Sequence, residues 1–380
     1  MPYFDNSATS YPKPEVFYAN LAENFRNFGV NASRGRYKQS SEMKKVEERL
    51  RANLASQNIF NADAGKIILT PSSTVALNQI LQGLDYSDIK TVYISPFEHN
   101  AVYRTILYLQ SKYDFDLELI PFNKFEWDEG KTKLDFSSKN PDLIVMNHAS
   151  NVFGNILPVA EIFSLAKQYD AITILDCAQS AGVINVDLQK LKVDFATFAG
   201  HKNLYGPSGI GGFVINSNIP LQPVLFGGTG VNSEEIEMPD TLPERYEVGS
   251  MNSLGIIGLD LSINWLLKKG VEHIRAKKQD NFQKLLDGLR KYDGITLLYG
   301  DQNIGIVSCL FENHNSQEVG SFLDRNDIAV RVGLHCAPLA HNHLGTEPSG
   351  TVRFSVGYFN TNEDFIALDK ALDKLLIVNC

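Results

Sequence analysis

Short apolar runs rich in β-branched residues recur along the first half of the chain, at 66–70, 91–95, 117–121, 143–147, 172–176, 194–198 and 212–215. Each is strand-length, and several are separated by helix-like segments at 74–83, 99–112 and 159–169. Such alternation predicts an α/β fold with a largely parallel sheet. Ahead of it, Pro12 and Pro14 punctuate an extended segment over residues 1–11 before a helix over 15–28. Met43, Val46, Leu50 and Leu54 fall on one stripe of a helix over 41–57, read as a core face in preference to a contact with a partner helix. Residues 219–252 are rich in proline and glycine and are expected to be loop. Beyond them the pattern predicts helices over 254–269 and 275–292, strands near 295–299, 304–311, 328–332 and 351–357, and helices near 315–325 and 362–376. That mixture is the make-up of a smaller α+β domain. The expected divisions are an N-terminal segment over 1–14 that packs with the small domain, a large domain over 15–255, and a small C-terminal domain over 256–380.

A formal net charge of −9 over 380 residues offers no basic surface to nucleic acid, and no apolar run is long enough to span a membrane. The opening MPYFDNSATS reaches an acidic residue at position 5 without a basic region followed by an apolar one, so no secretory signal is expected. Cys177, Cys309, Cys336 and Cys380 are far apart and form no CxxC pair, which points to free thiols in a reducing cytoplasm.

In a parallel sheet ligands sit at the carboxyl ends of the strands, so the residues just after each run are the candidates for chemistry. The run at 194–198 ends at Gly200 and delivers His201 and Lys202 before the turn NLYGPSGIGG. A single lysine is ordinarily a solvated one. At the end of an apolar strand, however, a desolvated lysine is the residue type that forms Schiff bases with carbonyls. Asp176 closes a wholly apolar run and needs a cationic or densely hydrogen-bonded partner. Ser72, Ser73 and Thr74 open a helix, where hydroxyls and free N–H groups suit either a phosphate or an ordinary N-cap. His99 and Asn151 follow two further runs. A lysine for an aldehyde, an aspartate for a pyridine nitrogen and a helix start for a phosphate are the parts that pyridoxal 5′-phosphate (PLP) requires. Nucleotide rivals fail on context. GPSGIGG precedes a strand where a dinucleotide fingerprint would follow one, and no GxxxxGK[ST] occurs.

Over essentially its whole length the sequence resembles the class V, fold-type I PLP enzymes, and within them the cysteine desulfurase and selenocysteine lyase group. The motifs that carry the resemblance are YFDNSATSYPKP, EHNAV, SNVFGN, DCAQSAG, FAGHKNLYGPSGIGG, RYEVGSMN, RVGLHCAP and VRFSVGYFNT. It implies that the large domain binds PLP, with Lys202 holding the aldehyde and Asp176 the pyridinium. It further implies that Gln179 and Asn151 contact the ring hydroxyl and that His99 stacks on the ring. Ser73, Thr74 and His201 would hold the phosphate, with Ser250 reaching it from a partner subunit. Arg353 would grip the substrate carboxylate, Arg331 and Arg34 would line the mouth, and Asn6 and Ala8 would belong to the substrate-binding set. Two positions depart from the family pattern: Ala199 stands where many relatives carry a phosphate-binding hydroxyl, and Leu334 where double-histidine desulfurases carry a histidine.

Cys336 is then expected to be the nucleophile, because His335 and Arg331 nearby would favour a thiolate. The rival reading is zinc binding by His335, Cys336, His341 and His343; no second cluster matches them and PLP chemistry needs no metal, so no metal is expected. The expected reaction takes L-cysteine to L-alanine and leaves the sulfur as a persulfide on Cys336, for an acceptor such as an iron–sulfur scaffold or a tRNA-modifying enzyme. The alternative is a class V aminotransferase or another PLP lyase, selenocysteine lyase included, in which Cys336 is incidental. A homodimer is implied by the family roles of Arg34 and Ser250.

Overall fold

The computed structural model describes residues 1–380 except 33, 34, 36, 232, 233, 235 and 378–380, and residue 377 in its backbone only. Two helices, α1 (Glu15–Phe28) and α2 (Lys38–Ala55), precede the alternating part. There β1 (Ile67–Thr70), α3 (Ser73–Gly83), β2 (Thr91–Ile94), α4 (Asn100–Gln110) and β3 (Asp116–Leu119) lead into a two-stranded hairpin, β4 (Phe122–Asn123) and β5 (Glu126–Trp127). The chain continues through α5 (Glu129–Ser138), β6 (Leu143–Asn147), α6 (Val159–Ala166), β7 (Ile172–Asp176), β8 (Phe195–Ala199) and β9 (Gly211–Ile215).

Seven of these strands form one sheet in the order β1-β9-β8-β7-β6-β2-β3. All pairings are parallel except those of β9, which runs antiparallel to both neighbours. Both faces are covered. Ile67, Leu69, Tyr93, Ile144 and Leu175 pack into one cluster with α2, α6 and α7, whereas Ile68, Val92, Ile94, Val145 and Ile174 pack into another with α3 and α4. Adjacent residues thus enter opposite layers, which is why these strands are apolar throughout rather than alternating. The stripe Met43, Val46, Leu50 and Leu54 is buried in the first layer.

The remainder comprises α7 (Ser253–Lys269), α8 (Val271–Leu289), β10 (Ile295–Leu298), β11 (Ile306–Phe311), α9 (Ser316–Asp324), β12 (Arg331–Gly333), α10 (Pro338–Leu344), β13 (Thr351–Ser355) and α11 (Asn362–Ile377). Its strands form an antiparallel sheet in the order β10-β11-β13-β12, backed by α8, α9 and α11. The helix expected over 275–292 begins instead at Val271, immediately after Gly270, whose φ of 88° ends α7. The first residues of the chain join this second sheet. Phe4 is fully buried among its core residues, and its backbone bonds Ala329 and Ser355. No helix among the described residues is long and apolar enough to cross a membrane.

Candidate active site

The carboxyl ends of β1, β2, β6, β7 and β8 open into one cavity, and the second sheet closes it. Most of the expected residues line it: Ser73, Thr74, His99, Asn151, Asp176, Gln179, His201, Lys202, Arg331, Arg353 and Ala8. Those that follow strands of the first sheet arrive by one local rule: a buried strand ends, the backbone turns, and the first polar side chains face the opening. Arg331 and Arg353 come instead from within β12 and β13, and Ala8 from the start of the chain.

Lys202 follows β8 through a turn in which Tyr205 N–H donates to Lys202 O (2.9 Å) and Gly206 N–H to Gly200 O (2.8 Å). Burial disfavours the charged amine and pushes its pKa down to about 8; Asp176 opposes the shift, while Arg353 and Arg331 add to it. Asp176 Oδ1 accepts from Ala178 N–H (2.9 Å), Thr197 Oγ1 (3.2 Å) and Ser73 Oγ (3.4 Å). No described residue donates to its Oδ2, so one carboxylate oxygen is unspent. His99 caps α4 by accepting Ala101 N–H on Nδ1 (3.0 Å), which leaves the proton on Nε2. Burial, with the Lys202 charge second, lowers its pKa to about 4, so the ring is neutral.

At the start of α3, Ser72 rather than Ser73 is the N-cap, its side chain accepting Val75 N–H (3.2 Å). The backbone N–H groups of Ser73 and Thr74 have no partner among the described residues. Gly211 makes room for them, because a Cβ there would stand 3.0 Å from Ser73 N and 2.7 Å from Phe198 O.

Cys336 is exposed, in the four-residue connection between β12 and α10, and lies outside the cavity lining. Arg331 Nη2 donates to its Sγ at 3.3 Å. The connection is tightly held: Asn100 N–H donates to Cys336 O (2.7 Å) and Asn151 Nδ2 to His335 O (2.7 Å). Gly333, His335 and Cys336 all have left-handed backbones, with φ of 95°, 50° and 59°. Gly350 permits the close packing at the base of this turn, since a Cβ on it would meet Gly333 C at 2.3 Å. The β12–β13 register sets Arg331 directly opposite Arg353, so two guanidinium groups share one face. Arg353 is 1 % exposed and donates from Nη2 to Asp5 Oδ1 (2.6 Å) and from Nη1 to Asn151 O (2.8 Å).

The Aminotransferase class-V family model matches residues 2–368. The chain belongs to the class-V aminotransferase family. Two similar class-V relatives are a probable cysteine desulfurase of Methanothermobacter thermautotrophicus, 30 % identical over 98 % of this chain and 94 % of its own length, and a cysteine desulfurase of Escherichia coli O157:H7, 30 % identical over 98 % and 93 %. Among solved structures, the apo cysteine desulfurase of Thermococcus onnurineus NA1 superposes with a TM-score of 0.91 at 28 % identity, covering 99 % of this chain and 94 % of its own.

The class-V cofactor is pyridoxal 5′-phosphate, and this cavity fits it. Asn151 Oδ1, Gln179 Oε1 and His201 Nδ1 are buried, line the cavity and have no hydrogen-bond partner among the described residues, a state that native interiors avoid unless a ligand completes it. An unspent carboxylate oxygen, a partly neutral amine and a helix start with two free N–H groups supply the complementary contacts.

Two of the other expected residues, Asn6 and Ser250, lie elsewhere. Asn6 does not line the cavity: its Nδ2 donates to Tyr3 O (3.2 Å) and Ser355 O (3.1 Å), so the amide fastens the chain start to the second sheet. Ser250 is exposed and lines a separate pocket with Arg51, Glu47 and Glu247. Arg34 lies outside the described residues, as does Cys380. The Arg353 fork is not free, since Asp5 already occupies part of it. Each histidine of the zinc alternative spends one ring nitrogen on a hydrogen bond: His335 Nε2 with Thr351 Oγ1 (3.0 Å), His341 Nδ1 with Thr346 Oγ1 (2.7 Å) and His343 Nε2 with Lys124 O (2.8 Å); His335 Nδ1 and His341 Nε2 have no partner among the described residues, which hold no group of three His, Cys, Asp or Glu side chains placed for a metal ion.

The sequence alone did not single out the pairing of Asp5 with Arg353. Asp5 and Arg353 are 348 residues apart, and only the folded chain brings them together.

The low pKa of Lys202 has a direct readout. At pH about 7.5 roughly a quarter of its amine is neutral, against on the order of 0.1 % for an ordinary lysine. Limiting aldehyde plus borohydride on the cofactor-free protein should therefore modify Lys202 first, with a midpoint rising through pH about 8. A midpoint near that of surface lysines would refute the burial account.

Proposed function

We propose that the protein is a PLP-dependent cysteine desulfurase that converts L-cysteine to L-alanine and retains the sulfur as a persulfide on Cys336. The observation that carries this reading is an exposed thiol, 3.3 Å from the Arg331 guanidinium, fixed beside a cavity that holds an aldehyde-competent lysine. When bound, PLP supplies an aldehyde carbon for amines and a ring that accepts the electron pair released at the substrate Cα.

The protein groups divide the remaining work. Arg353 meets the substrate carboxylate through the N–H groups not taken by Asp5 and Asn151. The Lys202 amine accepts the Cα proton, a task for which a pKa near 8 is suited. Neutral His99 lies on the cavity wall as a flat, uncharged face. Arg331 Nη2 holds the Cys336 sulfur at 3.3 Å and so orients it. The Cys336 thiolate attacks the substrate sulfur: an S–S bond forms, the C–S bond breaks, and the electron pair left on carbon takes a proton to complete alanine.

A homodimer is part of the same reading. It is supported by Ser250 standing outside the cavity of its own chain, and by Phe226 (74 % exposed) and Ile236 in the adjoining loop, large apolar residues left open to solvent. Free thiols at Cys177, Cys309 and Cys336 support a cytoplasmic setting. The sulfur acceptor is a further protein of unassigned identity.

Incubating the holoenzyme with L-cysteine and a reductant tests the activity. Alanine and sulfide should appear in equal amounts without pyruvate. Pyruvate would identify a lyase, and conversion to the pyridoxamine form without sulfide would identify an aminotransferase; either overturns the assignment.

A further inference from the structure

Lys13 sits between two prolines just ahead of α1. Its ammonium is drawn inward, donating to His201 O (2.9 Å), Ser10 Oγ (2.9 Å) and Thr9 Oγ1 (3.5 Å). The same carbonyl accepts from Ser10 N–H (3.1 Å) and Thr9 Oγ1 (3.0 Å). No described carboxylate pairs with it within 4.0 Å, so the amine has lost hydration to neutral oxygens without gaining a counter-charge. Burial accordingly lowers its pKa, to about 8.

A matching deficit lies on the far side of His201. A phosphate monoester carries close to two negative charges at neutral pH. The cavity end formed by Ser73, Thr74 and His201 offers hydroxyls and N–H groups but, among the described residues, no free cation. His201 is neutral there, because burial and the charges of Lys202 and Lys13 bring its pKa to about 4. Lys202 commits its amine to the aldehyde, Arg331 contacts Cys336 and Arg353 contacts Asp5.

We propose that Lys13 is a positioning residue that supplies, one layer behind His201, the positive charge opposing the cofactor's phosphate. This rests on the cavity being the PLP site described above.

Dissociation constants for PLP and for pyridoxal, which lacks only the phosphate, test it on cofactor-free wild type, Lys13→Gln and Lys13→Arg. Wild type should prefer PLP. Lys13→Gln should weaken PLP by about tenfold while changing pyridoxal by less than about twofold, and Lys13→Arg should restore most of the preference. Because the two ligands are compared on one sample, partial unfolding lowers both affinities together and cannot imitate this result; should Lys13→Gln not fold, Lys13→Met is read instead. Equal loss for both ligands, or an unchanged preference, overturns the role of Lys13 while leaving the site intact. A wild type that does not distinguish the ligands overturns the phosphate site itself, and the proposal with it.

Discussion

Lys202→Ala is expected to lower turnover of L-cysteine by at least about 10⁴-fold while the protein stays folded. The expected loss is large because in the proposed reaction one amine has two tasks, holding the cofactor aldehyde and accepting the Cα proton, and no other lysine among the described residues lines the cavity. Folding should be spared, since removing an amine whose charge is disfavoured by burial relieves a cost. Borohydride reduction of the holoprotein followed by peptide mapping reports the first task directly. Wild type should carry the label on Lys202, and the variant should carry none. Retention of more than about 1 % of the activity would move the covalent role to another amine. Lys278 would be the first to inspect, as it is buried without a carboxylate partner, has a pKa lowered to about 7, and donates to Asn203 Oδ1 at 2.7 Å.

Cys336→Ala should cut sulfide release by at least about 10³-fold and leave cofactor binding as it was. The geometry makes this an unusually clean substitution. Left-handed backbone costs an L-residue about 1 kcal/mol or more, and alanine bears the same cost as cysteine at a φ of 59°, so the turn has no reason to relax. Its backbone anchors, Asn100 N–H on Cys336 O and Asn151 Nδ2 on His335 O, do not involve the thiol. The side chain is exposed, so its removal opens no cavity. Cofactor absorbance and sulfide should therefore separate completely. A variant that still releases sulfide at more than about a tenth of the wild-type rate would show that direct elimination, not thiolate attack, liberates the sulfur.

The parts of the site that were legible in the sequence are those written locally. Lys202 and Asp176 stand where apolar runs end, and a charge in that position admits few structural explanations. Strand positions were recoverable for the same reason, since a strand buried on both faces has no polar interruptions to blur its ends. Direction was not: nothing within GGFVI marks β9 as antiparallel, because that is settled by which neighbours it meets. Short or weakly patterned elements also escaped. Helix α10 has only seven residues, too few for a period to show, and α5 buries only Thr132 and Phe136. Contacts between distant segments were out of reach altogether, the Asp5–Arg353 pair above all. Asn6 shows the limit of resemblance, for its motif matches and yet its amide serves as a fastener.

The opening thirteen residues have a consequence for handling the protein. Asp5 holds Arg353, Ser7 O receives Gln179 Nε2 (2.9 Å), Ala8 lines the cavity and Lys13 grips His201, so a stretch short enough to pass for a dispensable tail touches both sheets and the site between them. Such a stretch should tolerate substitution no better than an interior strand. Trimming into it would remove the very side chains that prepare the reaction.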